Sequence, residues 1–586
     1  MRLNPRFSIV QFAIEGEAFM TRNKTLVAAL TVVLILMGAA IFHVSLEAQQ
    51  ASGPAALTGT VRSAQEGLME GVLISVRRTG SPITTTVVTN SQGVYAFPQA
   101  RLEPGQYDLT IRAAGYVLDA PAPRIAVTVA AGSAAQANLN LRESNPLELA
   151  LQLTDPEWMA SFPLTDEQKF ELRDCSRCHT LQRVAMSTYN KDQLAWVMKR
   201  MIYSAGSSTM TFQLPAGQTA TWGRAEWGEP SATHKRQAEI VAAINLSDGM
   251  WKYPLKKSPR PKGKETQVIY TTYTLPVTHR PHDTRLGLDG AIWYNHFNDN
   301  AIARLDLKTG QTREWRWPYR APEGSFAPTG ARTLMGPDAK GRFYIGNQAQ
   351  EGLVVFDPST EKFRYSDVSG GGEMMDVSNS AVDNHGWRSG TEAYRINLDT
   401  LTVTASIRGE RPLVTYDLAS DSKNNVYGGG RAGTYIWYAD AKTNKISYYD
   451  IPATPRGVGG IGGGMRRGKA DKQDRLWWGG FDGNFVGMLD PRKPAGQQMK
   501  LWAMPPYFFP YDAHYDEQGY TWTAGIYADR VARLNVETGE WVYYLVPYTA
   551  NIRDIDLKPA TAGGLSGLWF GHTHQGMITL VEPLAR

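Results

Sequence analysis

The chain is 586 residues long and holds only two cysteines, both within Cys175-Ser-Arg-Cys178-His179. If these two are engaged there, no thiol remains for the disulfide framework that staples many secreted domains. A large excess of charge of one sign is also missing. Charged residues are 20% and the net charge is +5, so the electrostatic footprint of a nucleic-acid-binding protein is absent. No phosphate loop, nucleophile elbow or kinase signature occurs. What is plentiful is glycine, 56 residues, and tryptophan, 16 residues. That composition points to many tight turns and aromatic-rich strands, over a length that suits three or more domains.

Cys-x-x-Cys-His is the pattern of covalent haem attachment. Each thiolate can add to one haem vinyl group, and the adjacent imidazole reaches the iron from one face. A redox dithiol would not need the histidine. Half of a zinc site would need a second ligand pair nearby, and the next histidine, His234, stands alone. The sequence therefore predicts one covalent haem c on Cys175 and Cys178, with His179 on the iron.

The motif sits in a stretch, 146–255, with three helical signatures. Leu164-Thr165-Asp166-Glu167-Gln168 reads as a capped helix start. From Lys191 to Tyr203, Leu194, Val197, Met198 and Met201 share one face, and from His234 to Leu246, Ile240, Val241 and Ile244 point inward. Short helices around a flat apolar cofactor resemble class I c-type cytochromes, and that resemblance implies Cys175, Cys178 and His179 as its attachment residues. For the sixth ligand a thioether suits electron transfer. Met201, on the apolar helix face, competes with ordinary core packing. Met210, in a Gly/Ser/Thr-rich loop, is the alternative. A Trp-x-x-x-x-Met helix like Trp196 to Met201 recurs in small cytochrome c domains, which favours Met201.

Arg22 and Lys24 precede an apolar run from Thr25 to Phe42, and small and polar residues follow through Gln49. Residues 1–48 are expected to be a secretion signal, with Leu46-Glu47-Ala48 as an imperfect cleavage site. The run is also near the roughly 18 residues of a membrane span, so an uncleaved anchor fits as well. Either way the chain is expected to be exported to a bacterial periplasm, free or tethered to the inner membrane.

Residues 55–142 show short alternating segments between turns. In Gln106 to Ile111, Tyr107, Leu109 and Ile111 fall on one face. Thr89 to Phe97, Glu103-Pro104-Gly105-Gln106-Tyr107 and Ala114-Gly115-Tyr116 resemble the carboxypeptidase regulatory-like family. The resemblance implies a prealbumin-like β-sandwich of a kind grouped with carbohydrate-binding folds, used more often as a spacer or adhesion module than for sugar.

From 265 to 586 the chain repeats. Trp293, Tyr344, Trp387, Tyr427, Trp477, Trp522 and Trp569 recur at spacings of 51, 43, 40, 50, 45 and 47 residues. Most are followed by a second strand and a polar turn, as in Arg304 to Gly310 and Arg533 to Gly539. Repeats of this length with several short strands are propeller blades, and seven repeats predict seven blades. The last repeat is one strand short, and Thr266 to Leu275 is free to complete it, which would remove an exposed edge. The overall fold class expected is mainly β, with a sandwich, a small helical cytochrome c domain and a seven-bladed propeller.

Pro510-Tyr511-Asp512-Ala513-His514, Gly519 to Trp522 and Arg530 to Trp541 resemble the blades of virginiamycin B lyase, as do Pro281-His282-Asp283 through Gly310. The resemblance implies a site built from histidines that follow proline at the start of a blade and from glutamates just after the aromatic strand, holding Mg²⁺. His282 matches the first feature, and Tyr511 takes that place in another blade. The glutamate positions are His296, Asn347, Gly390, Gly430, Gly480, Gly525 and His572, none of them a carboxylate, and Mg²⁺ prefers oxygen. Streptogramin-opening lyase activity is thus disfavoured. The small residues there suggest an open channel, with His282, His296, Tyr511, His572 and His574 near one mouth as a site for a small molecule, glycan or transition metal.

The leading functional expectation is an exported haem protein that transfers electrons to an unidentified redox partner while the propeller binds a ligand or substrate. A lyase-like enzyme with an accessory cytochrome domain, or a cell-envelope binding module, are the alternatives. A quinone-dependent dehydrogenase of the eight-bladed kind would need another blade and a vicinal disulfide.

Overall fold

The computed structural model describes residues 54–585 apart from 174, 176–178, 205–227, 298, 319–330, 348–352, 367–370, 431–432, 454–462, 562 and 574. The expected signal or anchor, Cys178, Met210 and His574 lie outside the described residues. Among the described residues no helix is long and apolar enough to cross a membrane.

The chain is mainly β. The N-terminal unit has two sheets, one organised on Ala55–Ser63, the other on Ile83–Val88, Leu73–Arg78, Gly105–Arg112 and Ile125–Val129. Leu57, Val61, Ile74, Val76, Phe97 and Leu109 fill the space between them. The alternation read from sequence holds: Tyr107 and Leu109 are buried, and Ile111 is partly so and packs on the same core. The turn before Val94–Pro98 is held by Asn90, whose Oδ1 accepts from the backbone N–H groups of Gln92 and Val94. Gly93 sits there at φ +66°, where a Cβ would lie 2.8 Å from the Val61 carbonyl oxygen. Only glycine fits both demands.

Among the described residues six helices follow: α1 (Pro146–Ala150), α2 (Asp155–Ser161), α3 (Asp166–Arg173), α4 (Leu181–Ala185), α5 (Lys191–Ser204) and α6 (Ala232–Ala242). α3 starts from a capping box. The Gln168 N–H donates to Thr165 Oγ1 and the Thr165 N–H to Gln168 Oε1. α6 begins two residues ahead of the expected start, capped by Ser231, and stops at Ala242, yet Ile244 beyond it is still fully buried. The apolar faces of α5 and α6 meet around Trp158, Phe162, Leu172, Leu181, Leu194, Met198 and Val241.

Seven four-stranded antiparallel blades come next. Six are sequential (281–316, 331–366, 371–407, 417–450, 468–503 and 510–545). The seventh joins Asp556–Lys558, Gly567–His572 and Met577–Pro583 to Val268–Thr274, so strands from the two ends of the propeller segment share one sheet. The innermost strand of the first blade touches those of the second and seventh, and the ring is closed. One feature goes beyond the expectation. The outer edge of Val268–Thr274 pairs with Ile83–Val88, so the seventh blade runs on into the sandwich as one eight-stranded sheet. That pairing covers an edge that would otherwise be open.

In three blades the repeated aromatic has the same partner. Asp338, Asp471 and Asp516 each accept two backbone N–H groups in the first hairpin of their blade through Oδ1. Their Oδ2 atoms accept from Tyr344 Oη, Trp477 Nε1 and Trp522 Nε1, each at 2.8 Å. One aspartate thus sets the turn and satisfies the buried polar atom of the ring six residues later.

Candidate functional site

His179 is buried beside the helical core. Its Nδ1 lies 3.0 Å from the Thr180 carbonyl oxygen, which can only accept, so Nδ1 carries the proton and Nε2 carries the lone pair. Burial pushes the imidazole below its ordinary range, keeping it neutral. A neutral imidazole oriented through its other nitrogen is the form that binds a metal. Cys175, Met186 and Met201 are partly buried against the apolar cluster of Leu172, Leu181 and Met198. A fixed imidazole, a thiol and an apolar wall with thioethers are a donor set that fits a covalent haem; Cys178 and Met210 lie outside the described residues.

The turn after the motif is tied to α2, since the Leu181 N–H donates to Asp155 Oδ1 at 2.8 Å. Burial pushes the Asp155 carboxyl well above the usual carboxylate range. Asp155 also touches the propeller: its N–H donates to the Tyr527 carbonyl oxygen at 3.3 Å. Sequence reading missed it, because nothing local marks an aspartate in a first helical turn as buried.

Each innermost propeller strand starts, and each second strand ends, on one face of the ring, as the pairs Pro281–His296 and Pro510–Gly525 show. His282 and Tyr511 begin inner strands and His296 and His572 end second strands, so all four lie toward that face. They do not form one cluster. His282 is buried, bonded through Nδ1 to Asp283 Oδ1 and stacked on Phe297 at 4.6 Å. His572 accepts from the Asn551 N–H and stacks on Tyr548, which makes it a brace for that loop. His296 meets His279 and Glu314 instead.

The expectation of an open channel is corrected by the structure. Arg467 of the fifth blade reaches Asp283 of the first at 2.9 Å and Asp554 beside the seventh at 2.6 Å, and Arg285 also binds Asp554. Tyr416 of the fourth blade touches Tyr511 of the sixth, hydroxyl to hydroxyl at 2.5 Å. These contacts skip neighbouring blades, so they cross the ring and plug it. Three of the four glycines expected to line a channel, Gly430, Gly480 and Gly525, are packed. A Cβ at Gly430 would lie 2.3 Å from Val414, one at Gly480 2.4 Å from Phe485 and one at Gly525 2.6 Å from the Phe508 carbonyl oxygen.

Next to the plug, Arg466 lies over the rings of Tyr416, Tyr511 and Phe481 at 4.4–5.0 Å. Its Nε and Nη1 are buried without a hydrogen-bond partner. Burial pushes the Tyr511 phenol up, but Arg466, Arg467 and Arg553 outweigh it and the net direction is down. The hydroxyl of Tyr416 is pushed up to about 12, first by burial. The only sequence signal for this patch was the Arg466-Arg467 pair after a glycine-rich run.

From Tyr511 a chain of ring contacts leads to the helical domain. Tyr511 meets Phe481 at 6.0 Å, Phe481 meets Phe509 at 5.3 Å and Phe509 meets Tyr507 at 6.3 Å. Tyr507 packs on the same apolar cluster as Cys175 and Met201. The sandwich is anchored at this junction too. Arg112 donates to Asp529 at 2.6 Å, to the Val546 carbonyl oxygen and to the Gln152 carbonyl oxygen, joining all three parts of the chain.

Residues 56–142 match the carboxypeptidase regulatory-like domain family. No curated protein matches the chain. Among solved structures, the propeller is similar to selenomethionine-substituted virginiamycin B lyase from Staphylococcus aureus, with 15% identity over 53% of this chain and 99% of that one, at a TM-score of 0.42. A streptogramin B lyase structure gives 15% identity over 55% of this chain and 100% of that one, at 0.43.

Proposed function

We propose that the chain is an exported c-type haem protein that transfers electrons, and that its propeller binds the ligand, substrate or partner with which they are exchanged. The observation that carries this reading is His179 of Cys-x-x-Cys-His, buried and held through Nδ1 by the Thr180 carbonyl, an orientation in which Nε2 would be the nitrogen offered to a haem iron. Cys175 and Cys178 would hold the haem through thioether bonds, and Met201 is the favoured sixth donor, with Met210 the alternative. When bound, haem c supplies a one-electron iron couple. The rings from Tyr507 to Tyr511 support a functional link between the helical domain and the propeller face, since they bring propeller side chains against the core that carries the motif.

Lyase chemistry is not part of the proposal, because the positions that would carry its glutamates hold histidine, asparagine and glycine. The sandwich is assigned a spacer role, in keeping with its strand pairing to the seventh blade. The test is expression with a cytochrome c maturation system followed by a pyridine haemochrome spectrum after acid-acetone extraction. Retained c-type haem that is lost in Cys175→Ser/Cys178→Ser supports the reading. Folded protein without covalent haem under those conditions overturns it.

A further inference from the structure

His279, His296 and Glu314 come from three separate segments of the first blade and its approach. His279 lies in the connection after Val268–Thr274, His296 ends the second strand, and Glu314 is on the outermost strand, Thr312–Arg316. Glu314 Oε2 is 3.3 Å from His279 Nε2 and 3.3 Å from His296 Nε2. One ligand atom from each residue lies within 4.8 Å of the other two.

These contacts do not satisfy the groups that make them. Both ring nitrogens of fully buried His296, and Glu314 Oε2, have no hydrogen-bond partner. Buried polar atoms are rarely left so, and a bound ion is one of the few explanations. The spacing favours it: a tetrahedron with metal–ligand bonds of roughly 2.0–2.1 Å has an edge of about 3.3–3.4 Å. The surroundings also fit. His279 Nδ1 is 2.6 Å from the Tyr294 hydroxyl, which orients the ring with Nε2 toward Glu314. The other Glu314 oxygen is taken by Arg316, whose own charge is partly met by Asp299 at 2.7 Å. Burial holds His279 and His296 at about 4 and about 3, so both keep their lone pairs at neutral pH.

We propose that His279, His296 and Glu314 form a three-ligand site for a divalent transition metal, with zinc the ion that best suits two imidazoles and one carboxylate. Mg²⁺ and Ca²⁺ are disfavoured by the two nitrogen donors. Three protein ligands leave a fourth position for water or an exogenous donor. The site lies beside the seam where the ring closes, because Tyr294 packs with Tyr273, Leu275 and Trp569 of the seventh blade. Metal bound there would brace that seam. The inference is independent of the haem reading.

The test uses the full chain, produced with haem maturation, stripped with a chelator, dialysed and titrated with ZnCl₂ by calorimetry. Zinc and iron content are measured by mass spectrometry. One zinc per chain, with a rise in the propeller's thermal midpoint, is expected. Glu314→Gln, at a partly exposed position, should lower the affinity at least tenfold, and His279→Gln should do the same. Co²⁺ in place of zinc should give the strong d–d absorption of a tetrahedral site in a difference spectrum. Absence of zinc binding by the wild-type chain overturns the proposal. So does binding of equal affinity in both folded variants, which would place the ion elsewhere, for instance at a haem-free His179. If both variants fail to fold, the wild-type Co²⁺ spectrum decides: an octahedral signature overturns the site.

Discussion

The Arg467 guanidinium lies 2.9 Å from the Asp283 carboxylate, joining the fifth blade to the first across the centre of the ring. Both side chains are almost wholly buried. Burial pushes Asp283 up, but Arg467 and His282 more than offset it and the carboxyl is held low. Arg467→Met should therefore leave Asp283 and Asp554 short of a cation and cost about 3–5 kcal/mol, the usual result of breaking a buried pair from one side. Denaturant unfolding measures this. Arg467→Met/Asp283→Asn should lose less than the single variant, and an equal or larger loss would mean that the charges are not coupled.

Arg112 makes a second buried pair, with Asp529, whose side chain is inaccessible to solvent. The pair joins sandwich to propeller while the same guanidinium binds the carbonyl of Gln152 at the start of the helical domain. Arg112→Ala should cost about 3–5 kcal/mol for the same reason. It should also raise amide exchange in the 546–550 loop, where Asp529 accepts the Ala550 N–H. Unchanged exchange there would show that the loop holds without the arginine.

Acid should weaken the propeller before it protonates most carboxylates. Burial holds His282 at about 4 and His296 and His572 at about 3, against an ordinary 6.5. The unfolded chain binds these protons first, so the stability they leave intact above pH 6.5 is lost as the pH falls toward 4. Each proton taken up steepens the loss by roughly 1.4 kcal/mol per pH unit. Thermal midpoints measured without added metal should fall through this window. A flat profile from pH 7 to 4.5 would mean that the histidines are not buried in the neutral form.

Much of this molecule was legible in the sequence. The blades announced themselves because an aromatic residue recurs in the second strand of each, a local requirement that repeats with the fold. The closing strand was legible from a count of strands. The partner that covers its other edge was not, because Ile83–Val88 looks like any sandwich strand and its pairing with Val268–Thr274 is tertiary. The sequence placed His282, His296, Tyr511 and His572 toward one mouth, where they do lie, but the closer neighbours of His296 were not legible. His296 belongs with His279 and Glu314, which stand 17 residues before it and 18 after it and meet it only through the blade's pleat. The open channel failed for a related reason. Glycine at strand ends was read as space, whereas Phe485, Val414 and the Phe508 backbone fill it. The long side chain that crosses the ring, Arg467, has no periodic mark at all.

Tyr511 offers a measurable consequence for the proposed electron transfer. Three arginines hold its phenol below the ordinary value of 10 despite complete burial, while its partner Tyr416 is held at about 12. A deprotonated phenol gives up an electron more readily than a neutral one, and Tyr511 stands at the propeller end of the rings that run to Tyr507 and the helical core. Tyr511 should therefore ionise below pH 10, seen in the near-ultraviolet phenolate band of the native protein as a step that Tyr511→Phe removes. Arg466→Met removes the nearest cation and should move that step upward by about one pH unit or more, given the low dielectric around the pair. If the native chain shows no such step, or if Arg466→Met leaves it in place, Tyr511 is an ordinary buried phenol and the propeller end of the ring chain has to be sought elsewhere.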